Sequence, residues 1–89
     1  MKIKDGFELR EVCGEYIVVS HGDNNIDFSK VVHLNESSAL MWQAIHGKDF
    51  TVDDMAETLT KNYDVDNKEA FADATAVLDK WKQLEMVEQ

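Results

Sequence analysis

The sequence predicts an α+β fold of winged-helix-like order: a three-stranded antiparallel sheet followed by three helices. Three observations predict it. Up to Leu34 the apolar residues alternate or gather in short β-branched runs, as strands require. Beyond Leu34 they recur with the period of a helix. Two capping signals, Thr51-Val52-Asp53-Asp54 and Asp66-Asn67-Lys68-Glu69, divide that helical part into three.

Each element follows from its residues. Met1 to Asp5 carries no pattern and is expected to fray. In Phe7–Val12, Phe7 and Leu9 share one face and Glu8 and Arg10 the other, as in a half-buried strand. Cys13-Gly14 reads as a tight turn, because Gly takes the positive φ that a two-residue hairpin needs. Tyr16-Ile17-Val18-Val19 is a run of β-formers fit for a strand covered on both faces. His21 to Asn25 reads as a loop, and Lys30–Leu34 as the third strand, with a start as early as Ile26 or Phe28 left open.

Asn35 is a good N-cap for a helix over 36–46, with Met41, Trp42 and Ile45 on one face and Gly47 at its end. Thr51 and Asp54 form a capping-box variant for a helix over 52–62, with Phe50 and Met55 spaced as a hydrophobic staple around it. Asp66, with Glu69 three residues later, opens a helix over 67–84. Ala70, Phe71, Ala74, Val77, Leu78, Trp81 and Leu84 are assigned to one face of that helix. Met86-Val87 is an apolar tail suited to closing the core. Trp42, Leu59, Phe71, Leu78 and Trp81 are expected to be buried, so that Phe71→Ala would cost about 3–5 kcal/mol.

Composition narrows the function classes. Eighty-nine residues suit one domain over 1–89, and 44% hydrophobic content suffices for a small core. No apolar stretch approaches the ~18 residues of a membrane span, and no signal peptide is visible, so a cytoplasmic location and no membrane partner are expected. The single Cys13 cannot form an internal disulfide and is read as a turn residue. A net charge of −9 removes the general attraction to phosphate backbones. The strand and helix order admits a DNA-binding or regulatory winged helix. Its recognition helix would carry Glu69, Asp73 and Asp79 beside Lys68, Lys80 and Lys82, however, so no nucleic-acid partner is expected.

Catalytic and metal chemistry find no support. Asp23-Asn24-Asn25-Ile26-Asp27 opens like a calcium loop, but Phe28 and Leu34 stand where the loop needs Gly and Glu. His21, His33 and His46 have no ligand spacing. Ser37-Ser38-Ala39 lacks the Asp-Ser-Leu setting of a carrier-protein serine. No catalytic residue, metal or cofactor is assigned. What remains is the open edge of the sheet, which must be blunted or used. Lys30 and His33 suit blunting. Used instead, the third strand accepts an extended peptide as a further strand.

One resemblance covers nearly the whole chain. It rests on Leu34-Asn35, Trp42, Gly47, Thr51-Val52, Leu59, Tyr63, Val65, Asp73, Leu78, Leu84 and Met86-Val87, together with Phe7–Glu11 and Ile17–Val19. These resemble the coenzyme PQQ synthesis protein D (PqqD) family and, with it, the RiPP recognition element. Many members carry an early Pro that this chain lacks. The resemblance implies a non-catalytic peptide chaperone of natural-product biosynthesis. Such a module binds the leader of a ribosomally made precursor peptide and presents it to a modifying enzyme, often a radical SAM protein. It also implies a groove between the third strand and the third helix. The expected peptide-binding residues are Lys30, Val31, Val32 and His33 on the strand, and Phe71, Ala74, Thr75 and Leu78 on the helix. A small structural subunit docking on a larger enzyme remains the other reading.

Overall fold

The computed structural model describes residues 1–22 and 25–88, with the backbone alone over residues 22 and 25–30. The main sheet contains β2 (Phe7–Val12), β3 (Glu15–Gly22) and β4 (Asn25–Leu34) in the order β2-β3-β4, all antiparallel. Helices α1 (Glu36–Ile45), α2 (Val52–Asn62) and α3 (Asn67–Gln83) follow. Two short strands, β1 (Lys2–Ile3) and β5 (Val87–Glu88), pair with each other and close the chain on itself.

The expected turn chemistry is present. Val12 faces Glu15 across Cys13 and Gly14, whose φ values of 53° and 80° form a two-residue hairpin turn with both centres left-handed. Cys13 is exposed there. β3 buries Val18 and Val19 on its opposite faces. It continues through His21 and Gly22, which pair with Ile26 and Asn25, so the loop expected from His21 is a strand instead. Asp23 and Asn24, the centre of that loop and of the calcium-like motif, lie outside the described residues.

β3 and β4 do not keep one register. Tyr16, Ile17 and Val18 face Leu34, His33 and Val32, whereas Ser20 faces Asp27. Val19 alone on β3 therefore opposes residues 28–31 on β4, a bulge that bends the edge strand just before Val32.

Helix capping works largely as the residues dictate. The Ser38 amide donates to Asn35 Oδ1 at 2.9 Å, opening α1. Gly47, at φ 83°, takes the left-handed position after that helix. Thr51 and Asp54 form a complete capping box, and both staple residues, Phe50 and Met55, are buried. The Glu69 amide donates to Asp66 Oδ1 at 2.7 Å, which is the forward half of the third cap. α3 ends with Glu85 at φ 60°, the Glu85 amide donating to Lys82 O and the Met86 amide to Trp81 O. This left-handed stop has Glu where Gly is usual.

The core joins Val18 of the sheet to Trp42, Ile45, Met55, Leu59, Leu78 and Trp81 of the helices. Phe7, Leu9, Val32 and Leu34 pack against it from the inner face of the sheet. Two expectations are corrected. Met1 to Asp5 does not fray: Ile3 is buried, the Phe50 amide donates to Met1 O at 2.7 Å, and the Lys4 amide donates to Met86 O at 2.9 Å. Phe71 is not core but 45% exposed. The buried seam of α3 is Ala70, Ala74, Leu78 and Trp81. At about 100° per residue Phe71 falls about 65° from the centre of that seam, outside the strip the core covers.

Stability should follow this seam. Trp81→Ala should cost about 3–5 kcal/mol, and Phe71→Ala about 1 kcal/mol or less, in urea unfolding. Equal losses would mean that α3 is rotated from the orientation described.

Candidate functional site

β4 ends the sheet, so its backbone on the side away from β3 has no neighbouring strand among the described residues. Two depressions flank that edge. One, of about 450 Å³, lies between β4 and the end of α3, with Val31 and Val32 on one wall and Leu84, Glu85 and Met86 on the other. Lys4 and Phe7 close it. Leu84 is 42% exposed here, an uncovered apolar side chain beside an uncovered strand. The other, of about 500 Å³, lies past the end of β4. Asn35 and Ser37 border it at the start of α1, and Asp73, Ala76 and Val77 border it on α3. Met41, Leu59, Tyr63 and Val65 complete its lining.

The residues expected at the site are only partly brought together. Val31 and Val32 line the first depression. His33 is exposed and borders a separate hollow with Tyr16 and Glu36. Lys30 contributes β4 backbone, its side chain being outside the described residues. On α3 the expected face divides. Ala74 and Leu78 are buried in the core. Phe71 lines a third depression on the far side of α3, with Asp53, Ala56, Glu57 and Thr60 of α2. Thr75 is half-buried and donates to Phe71 O at 2.7 Å. The flank of α3 that borders the depressions beside β4 is Asp73, Ala76, Val77 and Leu84. Residue typing could not separate the two flanks, because Phe71 and Leu84 are equally apolar. The signal that separates them is the Ala70/Ala74/Leu78/Trp81 seam, with Val77 about 55° to one side and Phe71 about 65° to the other.

Two groups near these surfaces have shifted titration. On the outer face of the sheet His21 Nε2 lies 2.6 Å from Glu8 Oε2, and Arg10 donates to the same oxygen at 3.3 Å. The hydrogen bond from His21, aided by the charge of Arg10, holds the Glu8 carboxyl below its ordinary range. Beside the second depression the Tyr63 hydroxyl is enclosed by protein, with the Glu36 carboxylate close enough to act on it but without a well-formed hydrogen bond between them. Burial, and then the nearby Glu36 carboxylate, push its pKa up.

An open sheet edge beside exposed apolar helix positions is the geometry by which small α+β proteins dock an extended chain. Among such proteins, the chain belongs to the coenzyme PQQ synthesis protein D (PqqD) family, whose model matches residues 15–87. No curated protein matches it. Two solved structures share its fold. TbiB1 in complex with the TbiA(beta) leader peptide is 16% identical with a TM-score of 0.75, the match covering 99% of this chain and 95% of that one. Lasso peptide synthetase B1 complexed with the leader peptide is 18% identical with a TM-score of 0.73, covering 99% and 96%. No helix among the described residues is long and apolar enough to cross a membrane.

Two outcomes check these electrostatics. A carboxyl held low in the folded state adds stability above its unfolded pKa and loses it as pH falls through the folded value. Glu8 should therefore titrate below the ordinary glutamate range by NMR, and His21→Ala should move it up. Tyr63→Phe should leave the protein at least as stable in urea unfolding, whereas a loss of stability would mean that the hydroxyl is hydrogen-bonded to Glu36.

Proposed function

We infer that the chain is a non-catalytic peptide-binding module. It takes the leader segment of a ribosomally made precursor peptide as an added strand on β4 and presents that peptide to a modifying enzyme, with a radical SAM enzyme as the expected partner. The observation that carries this reading is the free edge of β4 lying beside exposed Leu84 in a protein of the PqqD family. The two structural neighbours, each solved with a leader peptide, support it. So does the physical character of the edge: backbone groups supply affinity without reading sequence, and side pockets supply selectivity. The acidic balance disfavours nucleic acid as the partner. A cytoplasmic location suits a carrier that meets its peptide before modification.

The strand contribution comes from the backbone of Lys30 to His33. The helix contribution is assigned to the Val77 and Leu84 flank instead of Phe71 and Thr75. The two flanks give opposite outcomes. With the precursor encoded beside this gene as probe, Leu84→Asp should weaken binding at least tenfold in calorimetric titration, because it sets a charge into the apolar wall. Phe71→Asp should leave binding within twofold. Amide shifts on titration should cluster at residues 31–34 and on the 76–84 side of α3. The reverse ranking, or shifts confined to α2, would reject the site.

A further inference from the structure

The depression past the end of β4 has a chemistry of its own. We propose that it is a specificity pocket for a lysine or arginine side chain of the bound peptide, the aliphatic stem lying against Val65 and Val77 and the cationic head meeting Asp73. This rests on the peptide-binding reading. Position is the first reason: Asn35, in the lining, directly follows Leu34, the last residue of β4, so a peptide that continues past the end of the strand comes to the pocket. Shape is the second, because the lining is apolar at Met41, Leu59, Val65 and Val77 and polar at Asn35, Ser37 and Asp73. Such a surface suits a side chain with an apolar stem and a charged tip.

The polar groups decide the sign of that tip. Asn35 Oδ1 already accepts from the Ser38 amide at 2.9 Å and from Ser37 Oγ at 3.1 Å, so neither Asn35 Oδ1 nor the Ser37 proton is free for a ligand. Asp73 is exposed and has no ion-pair partner among the described residues. Lys80, seven residues further along the same side of α3, stands about 10 Å away along the helix axis, roughly one Debye length at physiological salt. No cation lines the pocket. An acidic ligand side chain would be repelled by Asp73 and by Glu36 near Tyr63, with only the neutral Asn35 amide nitrogen to set against two carboxylates. A purely apolar one would desolvate Asp73 without replacing its hydration. A cation on a flexible stem satisfies the exposed carboxylate while its apolar stem covers the lining.

A displayed library of random 12-residue peptides, selected against the full chain, tests this without knowing the natural ligand. The expected result is a family of binders with Lys or Arg enriched at one position. Selection against Asp73→Lys should remove that enrichment or replace it with Asp or Glu. For one selected peptide, Asp73→Asn should weaken binding at least fivefold, and should have no further effect once the peptide's own cation is replaced by Ala. Binders that shift the amides of residues 31–34 but carry a neutral aromatic or aliphatic residue, unchanged in Asp73→Lys, would overturn the pocket assignment while leaving the groove intact. Failure to enrich any peptide, or binding that leaves residues 31–34 unmoved, would overturn both.

Discussion

The contact between Trp42 and Trp81 governs the rest of the molecule. The two rings meet edge to face, with centroids 5.4 Å apart and planes at 81°, and both are almost completely buried. An aromatic pair of this geometry holds its helices in one relative rotation, since turning either by one residue would carry a large ring into solvent. With Trp81 placed, Ala70 and Ala74 must face inward, and their small side chains let α3 lie close to its neighbours. The same rotation sends Val77 and Leu84 to one side of α3 and Phe71 to the other. The surface beside β4 is thus a consequence of core packing, although neither tryptophan lines the depressions there.

The edge strand depends on a second constraint. β4 pairs with β3 in two separate runs, Asn25 to Asp27 and Val32 to Leu34, because the four residues between them oppose the single Val19. A bulge of this size increases local twist and bends the strand, which protects an open edge from pairing along its full length with another copy. It leaves a short run in which an added strand can keep register, next to the wall formed by Leu84 and Met86. That wall exists because the left-handed stop at Glu85 turns the chain back to pair β5 with β1. The two end strands therefore both close the core and build one side of the candidate groove.

Much of this was legible from residue order. The sheet strands, the Cys13-Gly14 turn, the three helices and their caps follow from local rules, and each expected N-cap residue accepts its backbone hydrogen bond, although the Glu69 side chain does not complete the third box. What escaped was non-local or angular. β1 and β5 are two residues each, too short for any period, and they exist only because the ends of the chain meet. His21-Gly22 looks like loop chemistry, but pairing with Asn25 and Ile26 overrides that propensity. α3 carries apolar residues over an arc wider than its core seam, so periodicity locates the helix without choosing its centre. Phe71 was placed inside by its hydrophobicity, although the seam is made by smaller residues around Trp81. The helix residues expected at the site come from that same wide face, which the structure divides between the seam and two flanks.

Tyr63 shows how fold and site come into conflict. A buried hydroxyl without a well-formed hydrogen bond is a cost that a small core has little reserve to carry. Phenylalanine would fill the same space without it. A fold under selection for stability alone has no reason to keep the oxygen, whereas a pocket that must discriminate among side chains gains from a polar atom that only some of them satisfy. Burial, and after it the nearby Glu36 carboxylate, push the phenol's pKa further above its ordinary value. The hydroxyl sits beside a depression that combines an apolar lining with the exposed Asp73 carboxylate. On the proposed reading the selectivity of the module lies past the end of β4, where the Asp73 carboxylate is exposed, and its affinity along the edge.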